Sequence, residues 1–263
     1  MSHHIIELKD VGFSYPDGTH ALSGISLRIL HGESVAVIGA NGAGKSTLLM
    51  HLNGLHTASE GSVRIGDAPV VKSTLEDIRK TVGTVFQDPD DQLFMPLVSD
   101  DVAFGPLNLG LPPAEVERRV DSALAEVDAR GLKERFSHQL SGGEKRRVAI
   151  ATVLAMLPSI LVLDEPSSGL DPKARRRLIE LLKGFEHTKI IATHDLDLAA
   201  DVCERTIVLS HGSVAADRPT AEVFCDTGLL ERCGLEPPLG MQGCPVCATG
   251  ITGDKGGRED DPA

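Results

Sequence analysis

The run Gly39-Ala40-Asn41-Gly42-Ala43-Gly44-Lys45-Ser46-Thr47 constrains this chain more than any other stretch. Its spacing is G-x-x-x-x-G-K-S, and its flanks are those of a strand-to-helix turn. Ser34-Val35-Ala36-Val37-Ile38 before it is a short apolar run that fits a buried strand. Leu48-Leu49-Met50-His51-Leu52-Asn53-Gly54 after it is helix-forming and closed by a glycine. Glycines let successive backbone N–H groups converge on an anion, and the helix behind adds free N–H groups and the positive end of its dipole. In such a loop Lys45 reaches the β/γ-phosphates of a nucleotide, and the Ser46 hydroxyl ligates Mg²⁺. A glycine-rich turn with an incidental Lys-Ser is the alternative, and the strand and helix on either side argue against it. The expectation is a nucleoside-triphosphate site on an α/β fold.

Ile160-Leu161-Val162-Leu163-Asp164-Glu165 is a continuous apolar run ending in two carboxylates. It suits a central parallel strand, whose C-terminal end is where α/β sheets place ligands. Alternation sends adjacent side chains different ways, so the two acids can differ in role. Asp164 fits a Mg²⁺ contact, direct or through water, and Glu165 fits the group that polarises an attacking water. By itself the pair also reads as a helix start after a strand. Leu140-Ser141-Gly142-Gly143-Glu144 has capping-box spacing, Ser141 capping a helix and Glu144 bonding back. Two glycines in a first turn weaken the helix by about 1 kcal/mol each against Ala, yet they permit close approach to an anion at the dipole's positive end. Both readings hold together.

Along the chain, strand-like alternation covers Ile5–Tyr15 and Ile25–Leu30, with a Pro16-Asp17-Gly18 turn between. Residues 60–71 hold a strand and a turn, Leu75–Lys80 a short helix, and Val82–Phe86 another strand. From Asp88 to about Leu157 the pattern turns helical, with helices expected over Asp100–Leu109, Pro113–Asp128 and Gly142–Leu157. Strands return at Ile160–Leu163, Lys189–Thr193, Thr206–Leu209 and Val214–Ala216, with helices at Pro172–Gly184 and Asp195–Cys203. The reading is one α/β domain over residues 1–235 with a helical insertion over about 88–157. Residues 236–263, rich in Pro, Gly and charge, are expected to be loosely ordered.

The formal charge is −12, from 38 acidic residues against 26 Lys and Arg. Such a surface repels phosphate backbones and argues against nucleic acid as a partner. The longest apolar stretch, Val148–Leu163, is too short for a membrane span and is cut by Pro158. Five cysteines, four of them after residue 220, do not make a fully paired disulfide framework and fit a reducing compartment.

In order, the chain carries Gly39–Thr47, Gln87, Leu140–Glu144, Ile160–Glu165, Ser168-Gly169-Leu170-Asp171 and Thr193-His194-Asp195. Over about residues 5–225 this set resembles the ATP-binding subunit of an ABC transporter. The resemblance implies a P-loop NTPase core: a mixed sheet flanked by helices, plus an antiparallel β subdomain and a helical insertion subdomain. It implies a head-to-tail dimer, with each ATP between the phosphate loop of one subunit and the signature sequence of the other. Ser141, Gly142, Gly143 and Glu144 would then serve the partner's nucleotide. Gln87 would sense nucleotide and Mg²⁺ and contact a membrane subunit, His194 would bridge to the γ-phosphate, and Asp171 would link the two sites. Tyr15 matches the family's adenine-stacking aromatic.

Asp88-Pro89-Asp90-Asp91-Gln92-Leu93-Phe94 and Asp101–Gly110 further resemble the energy-coupling factor branch, and within it the cobalt/nickel type over the vitamin type. That implies ATPase activity with ATP and Mg²⁺, a homodimer or a heterodimer of two competent subunits, integral membrane partners, and a peripheral place on the cytoplasmic membrane face. A soluble ABC ATPase working on ribosomes or DNA is the alternative. Cys244-Pro245-Val246-Cys247 is one C-x-x-C, short of the four ligands of a structural zinc site unless Cys225, Cys233 or a dimer mate completes it; free thiols are the other reading.

Overall fold

The computed structural model describes residues 6–242. The chain opens with a hairpin of β1 (Ile6–Ser14) and β2 (His20–Ile29), and then β3 (Ser34–Ile38) runs into α1 (Lys45–Leu52). Next come β4 (Glu60–Ile65), β5 (Ala68–Pro69), α2 (Leu75–Thr81) and β6 (Val82–Val85). A helical layer of α3 (Val98–Asn108), α4 (Pro113–Glu126) and α5 (Gly142–Leu154) follows. The chain then alternates through β7 (Ile160–Asp164), α6 (Pro172–Gly184), β8 (Thr188–Ala192), α7 (Leu196–Val202) and β9 (Arg205–Ser210). It ends in β10 (Ser213–Pro219), α8 (Thr220–Cys225) and α9 (Thr227–Arg232).

Two sheets result. The antiparallel one has the order β2-β1-β4-β5, and the other, mainly parallel, has the order β10-β9-β3-β8-β7-β6. The second sheet is covered on both faces, and its central strands show it residue by residue. Ile160 and Val162 of β7 join the core shared with α1 and the antiparallel sheet, whereas Leu161 and Leu163 join the core shared with the helical layer. Val35 and Val37 of β3 divide from Ala36 and Ile38 in the same way. Each fully buried Val, Leu or Ile stabilises the fold by roughly 1.5–3 kcal/mol, so a slip of one residue would move polar ends into both cores. Because β3, β6, β7 and β8 run parallel, the segments that follow them (the phosphate loop, Gln87, Asp164-Glu165 and Thr193-His194) leave the sheet at one edge.

The architecture is the expected one, and its boundaries differ where non-local contacts decide them. Helix α3 starts at Val98 rather than Asp100 because carbonyls of a distant segment satisfy its first donors: Val98 N–H donates to Arg135 O (3.1 Å) and Ser99 N–H to Lys133 O (3.0 Å). Strand β2 begins at His20, its pairing with Ser14 carrying it past the point where apolar alternation starts. The expected helix to Leu157 stops at Leu154, and Leu157 itself turns into the left-handed region at φ 54°. Helices α8 and α9, six residues each, are too short to leave a periodic signal. Within the stretch expected to be loosely ordered, Leu239–Met241 form a 3₁₀ turn held on α7, with Leu239 and Gly240 N–H donating to the Asp197 carboxylate at 3.1 and 2.9 Å. Cys244 and Cys247 lie outside the described residues. Among the described residues, no helix is long and apolar enough to cross a membrane.

Candidate functional site

The phosphate loop sits between β3 and α1 as the spacing predicts. Gly44 adopts φ 102°, and a Cβ there would stand 2.7 Å from Ala21 O; at Gly39 a Cβ would collide with Leu209 O. These two positions accept only glycine. Helix α1 has no side-chain cap at Gly44, which leaves its first amides available to an anion. Lys45 is buried and donates to Gly39 O (2.8 Å) and Ala40 O (3.2 Å). Tyr15 Oη lies 2.9 Å from Thr47 Oγ1, and its ring meets Phe13 and His56 edge-on at 5.1 and 5.6 Å. A cleft of about 290 Å³ over the loop is walled by Tyr15, Asn41, Lys45, Thr47, Gln87 and Glu165.

Asp164 ends β7 on the face that carries Ile160 and Val162, which aims it at α1. Ser46 Oγ–H donates to it, and burial pushes its carboxyl above the ordinary range against the lowering pull of Ser46, Lys45 and Arg146. Ser46, Gln87 and Asp164 share the wall of a neighbouring cleft of about 570 Å³. A buried carboxylate beside a hydroxyl and an amide oxygen is an all-oxygen donor set, the kind Mg²⁺ takes alongside phosphate oxygens. The residues present therefore fit that ion.

Glu165 turns away from its neighbour because it leaves the strand at φ 47°. Its Oε2 accepts from Thr193 Oγ1 (3.1 Å) and His194 N–H (3.2 Å), and lies 2.8 Å from His194 Nδ1. Glu165 and His194, 29 residues apart in sequence, are thus one unit at the ends of β7 and β8. Asp195 caps α7 through Leu198 N–H and takes a two-pronged ion pair from Arg175 at 2.8 and 2.9 Å. It also accepts from Ser167 Oγ at 3.0 Å, which fixes the loop leading to Asp171. Asp171 caps α6, accepting from Lys173 and Ala174 N–H.

Ser141 and Glu144 form the capping box that their spacing predicts. Glu144 Oε2 accepts from Ser141 N–H (2.8 Å) and Oγ–H (2.7 Å), and these bonds hold its carboxyl below the usual range. Ser141 and Gly142 are exposed, and Ser141–Glu144 are absent from the described walls of the phosphate-loop cleft. The structure thus brings Lys45, Ser46, Gln87, Asp164, Glu165 and His194 together, and Ser141–Glu144 are not among the described walls of those clefts.

Two residues have no assigned role in the motif reading. Arg146, buried on α5, donates to the carbonyls of Phe86 (2.7 Å) and Gln87. Gln92 accepts from Phe86 N–H (3.1 Å) and donates to Ala149 O and Thr152 Oγ1, both at 2.7 Å. The available signal was a cation at 146 on the helix face of Ala149, Ile150 and Val153.

A phosphate loop opening onto a carboxylate pair at the end of a central parallel strand places the molecule among P-loop nucleoside triphosphatases. Residues 22–168 match the model of the ABC transporter family, and the chain belongs to that family as one of its ATPases. It is 67% identical, over 94% of this chain and 99% of the other, to a Geobacter sulfurreducens protein provisionally named an ABC transporter ATP-binding protein. It is 50% identical to the energy-coupling factor transporter ATP-binding protein EcfA of Methanothermobacter thermautotrophicus, over 89% of this chain and 77% of that one. Among solved structures, CbiO1 of Clostridium perfringens, part of the ABC transporter complex CbiONQ, superposes with a TM-score of 0.75 at 40% identity, covering 88% and 94% of the two chains.

Proposed function

We propose that this chain is the ATP-hydrolysing subunit of an energy-coupling factor importer, working as a homodimer at the cytoplasmic face of a membrane and driving uptake of cobalt or nickel ions. Lys45 and the amides of Gly39–Thr47 hold the triphosphate, and Tyr15 supplies the aromatic face for the base. Ser46, Asp164 and Gln87 hold Mg²⁺, which neutralises phosphate charge when bound. Glu165 takes the proton of the attacking water, with His194 fixing its carboxylate and facing the γ-phosphate. Ser141, Gly142, Gly143 and Glu144 close over the partner's nucleotide, and Asp171 faces the partner across the dimer. Catalysis comes mainly from positioning and charge.

One observation carries the transport reading. Gln87 walls the phosphate cleft, and the turn that follows it ends at Phe94, 63% exposed and edge-to-face with Phe104 at 4.9 Å. Leu107 is also exposed on the same helix as Phe104. An apolar surface at the end of the turn that follows Gln87 suits a membrane subunit that must feel the ATP state. The 50% identity to EcfA supports the energy-coupling factor branch; the metal cargo rests on the resemblance of Asp88–Phe94 and Asp101–Gly110 to the cobalt/nickel type, and a vitamin-type importer is the second reading.

The test is a detergent pull-down of the tagged full chain. Integral membrane proteins should co-purify, and the double variant Phe94→Glu/Phe104→Glu should lose them while hydrolysing ATP within about twofold of wild type. Ribosomes in their place would overturn the transport reading. Uptake of labelled cobalt and nickel by cells lacking the gene decides the cargo; loss of vitamin uptake alone selects the second reading.

A further inference from the structure

The backbone that presents Gln87 is fastened to helix α5 and hardly at all to the sheet. Past Val85 the ladder with β7 ends. Every hydrogen bond described for the Phe86 backbone then goes to Arg146 or Gln92: Phe86 O accepts from Arg146 Nη1 at 2.7 Å, and Phe86 N–H donates to Gln92 Oε1 at 3.1 Å. Gln87 O accepts from Arg146 Nη2. Gln92 is in turn held to the same helix through Ala149 O and Thr152 Oγ1, each at 2.7 Å. One helical turn nearer its start, Lys145 reaches Asp90 at 2.5 Å, in the turn that follows Gln87. The first residue of that helix is Gly142, beside the Ser141 cap.

We infer that Arg146 and Gln92 are positioning residues that clamp the Gln87 segment to α5 and so fix where Gln87 stands in the cleft it shares with Ser46 and Asp164. The choice of side chains fits this task. The planar guanidinium meets two successive carbonyls at once, which fixes direction as well as distance. Its charge is buried within the influence of Asp88, Asp164 and Glu165, so an apolar substitute leaves both carbonyls unpaired and removes a cation from beside the acids. The inference rests on Gln87 acting in ATP turnover, as proposed above.

A double-mutant cycle on the purified full chain tests it. Arg146→Met should lower kcat for ATP hydrolysis about tenfold or more, since a misplaced group can cost up to about 100-fold. Affinity for a fluorescent ATP analogue measured without Mg²⁺ should stay within about twofold, and Arg146→Lys should recover part of the loss. In a Gln87→Ala background Arg146→Met should cost less than about twofold, because the group it positions is gone. An equal loss in both backgrounds would overturn the clamp and leave Arg146 a plain stabiliser of the fold. Wild-type turnover in Gln87→Ala alone would overturn the role of Gln87 and the clamp with it. If Arg146→Met does not fold, Gln92→Met carries the same cycle with both Arg146 bonds intact.

Discussion

Glu165 follows a buried strand directly, with its backbone in the left-handed region at φ 47°. That conformation costs of order 1–3 kcal/mol for a residue with a side chain, and here it separates two neighbouring acids. Asp164 is left facing Ser46, and Glu165 is delivered to Thr193 and His194. Because Gln shares the shape of Glu, Glu165→Gln should keep the geometry and ATP binding while cutting steady-state hydrolysis by roughly 10²–10⁴. Unchanged turnover would remove Glu165 from the proton-accepting role. His51 gives a pH prediction. It is fully buried, its Nδ1 lies 2.7 Å from Thr47 O, and its ring meets Phe13 edge-on at 4.9 Å. Burial, aided by His56, holds its pKa below the ordinary value of 6.5. As pH falls through that value the unfolded chain takes up a proton that the folded chain refuses, so stability is complete above it and declines below it. His51→Gln, which does not titrate, should show a smaller fall in Tm between about pH 7.5 and pH 5.5 than wild type. At this scale Lys45, Ser46, Asp164 and Glu165 were legible because each belongs to a contiguous motif. Arg146 was not, since its partners lie 59 and 60 residues away and it falls outside the contiguous motifs.

Elements were legible where their own pattern determined them. Strand β7, apolar up to its closing Asp164, and the amphipathic α4 and α6 needed no outside information, and α6 runs from Pro172 to Gly184 as its cap and glycine indicate. What escaped was set by contacts with distant chain: the start of α3 by Lys133 and Arg135, and the start of β2 by its hairpin partner. One such contact carries a prediction. Gly83 in β6 lies so close to α5 that a Cβ would collide with Val153 and stand 2.9 Å from the Pro158 ring. Neither neighbour can swing aside, so Gly83→Ala should destabilise the protein by about 1–3 kcal/mol through overpacking. A denaturant titration measures it, with a reduced midpoint and an unchanged slope expected.

For the whole molecule, Ser141–Glu144 stand outside the described walls of the phosphate-loop cleft, and in the proposed head-to-tail dimer a partner's copy of them would complete it. Lys45→Ala and Ser141→Arg should each abolish most hydrolysis. In verified mixed dimers one site regains both an intact Lys45 and an intact Ser141, so part of the activity should return. No recovery would count against a shared site.

The bonds from Lys45 to Gly39 O and Ala40 O give that last experiment a further meaning. The ammonium is a built-in stand-in for a counter-ion: it holds the loop's own carbonyls and so preshapes the receptor that a triphosphate enters. Truncating it is therefore two injuries in one, a lost attraction for the guest and a slackened host. A mutant at this position that binds nucleotide poorly has not shown which of the two it suffers.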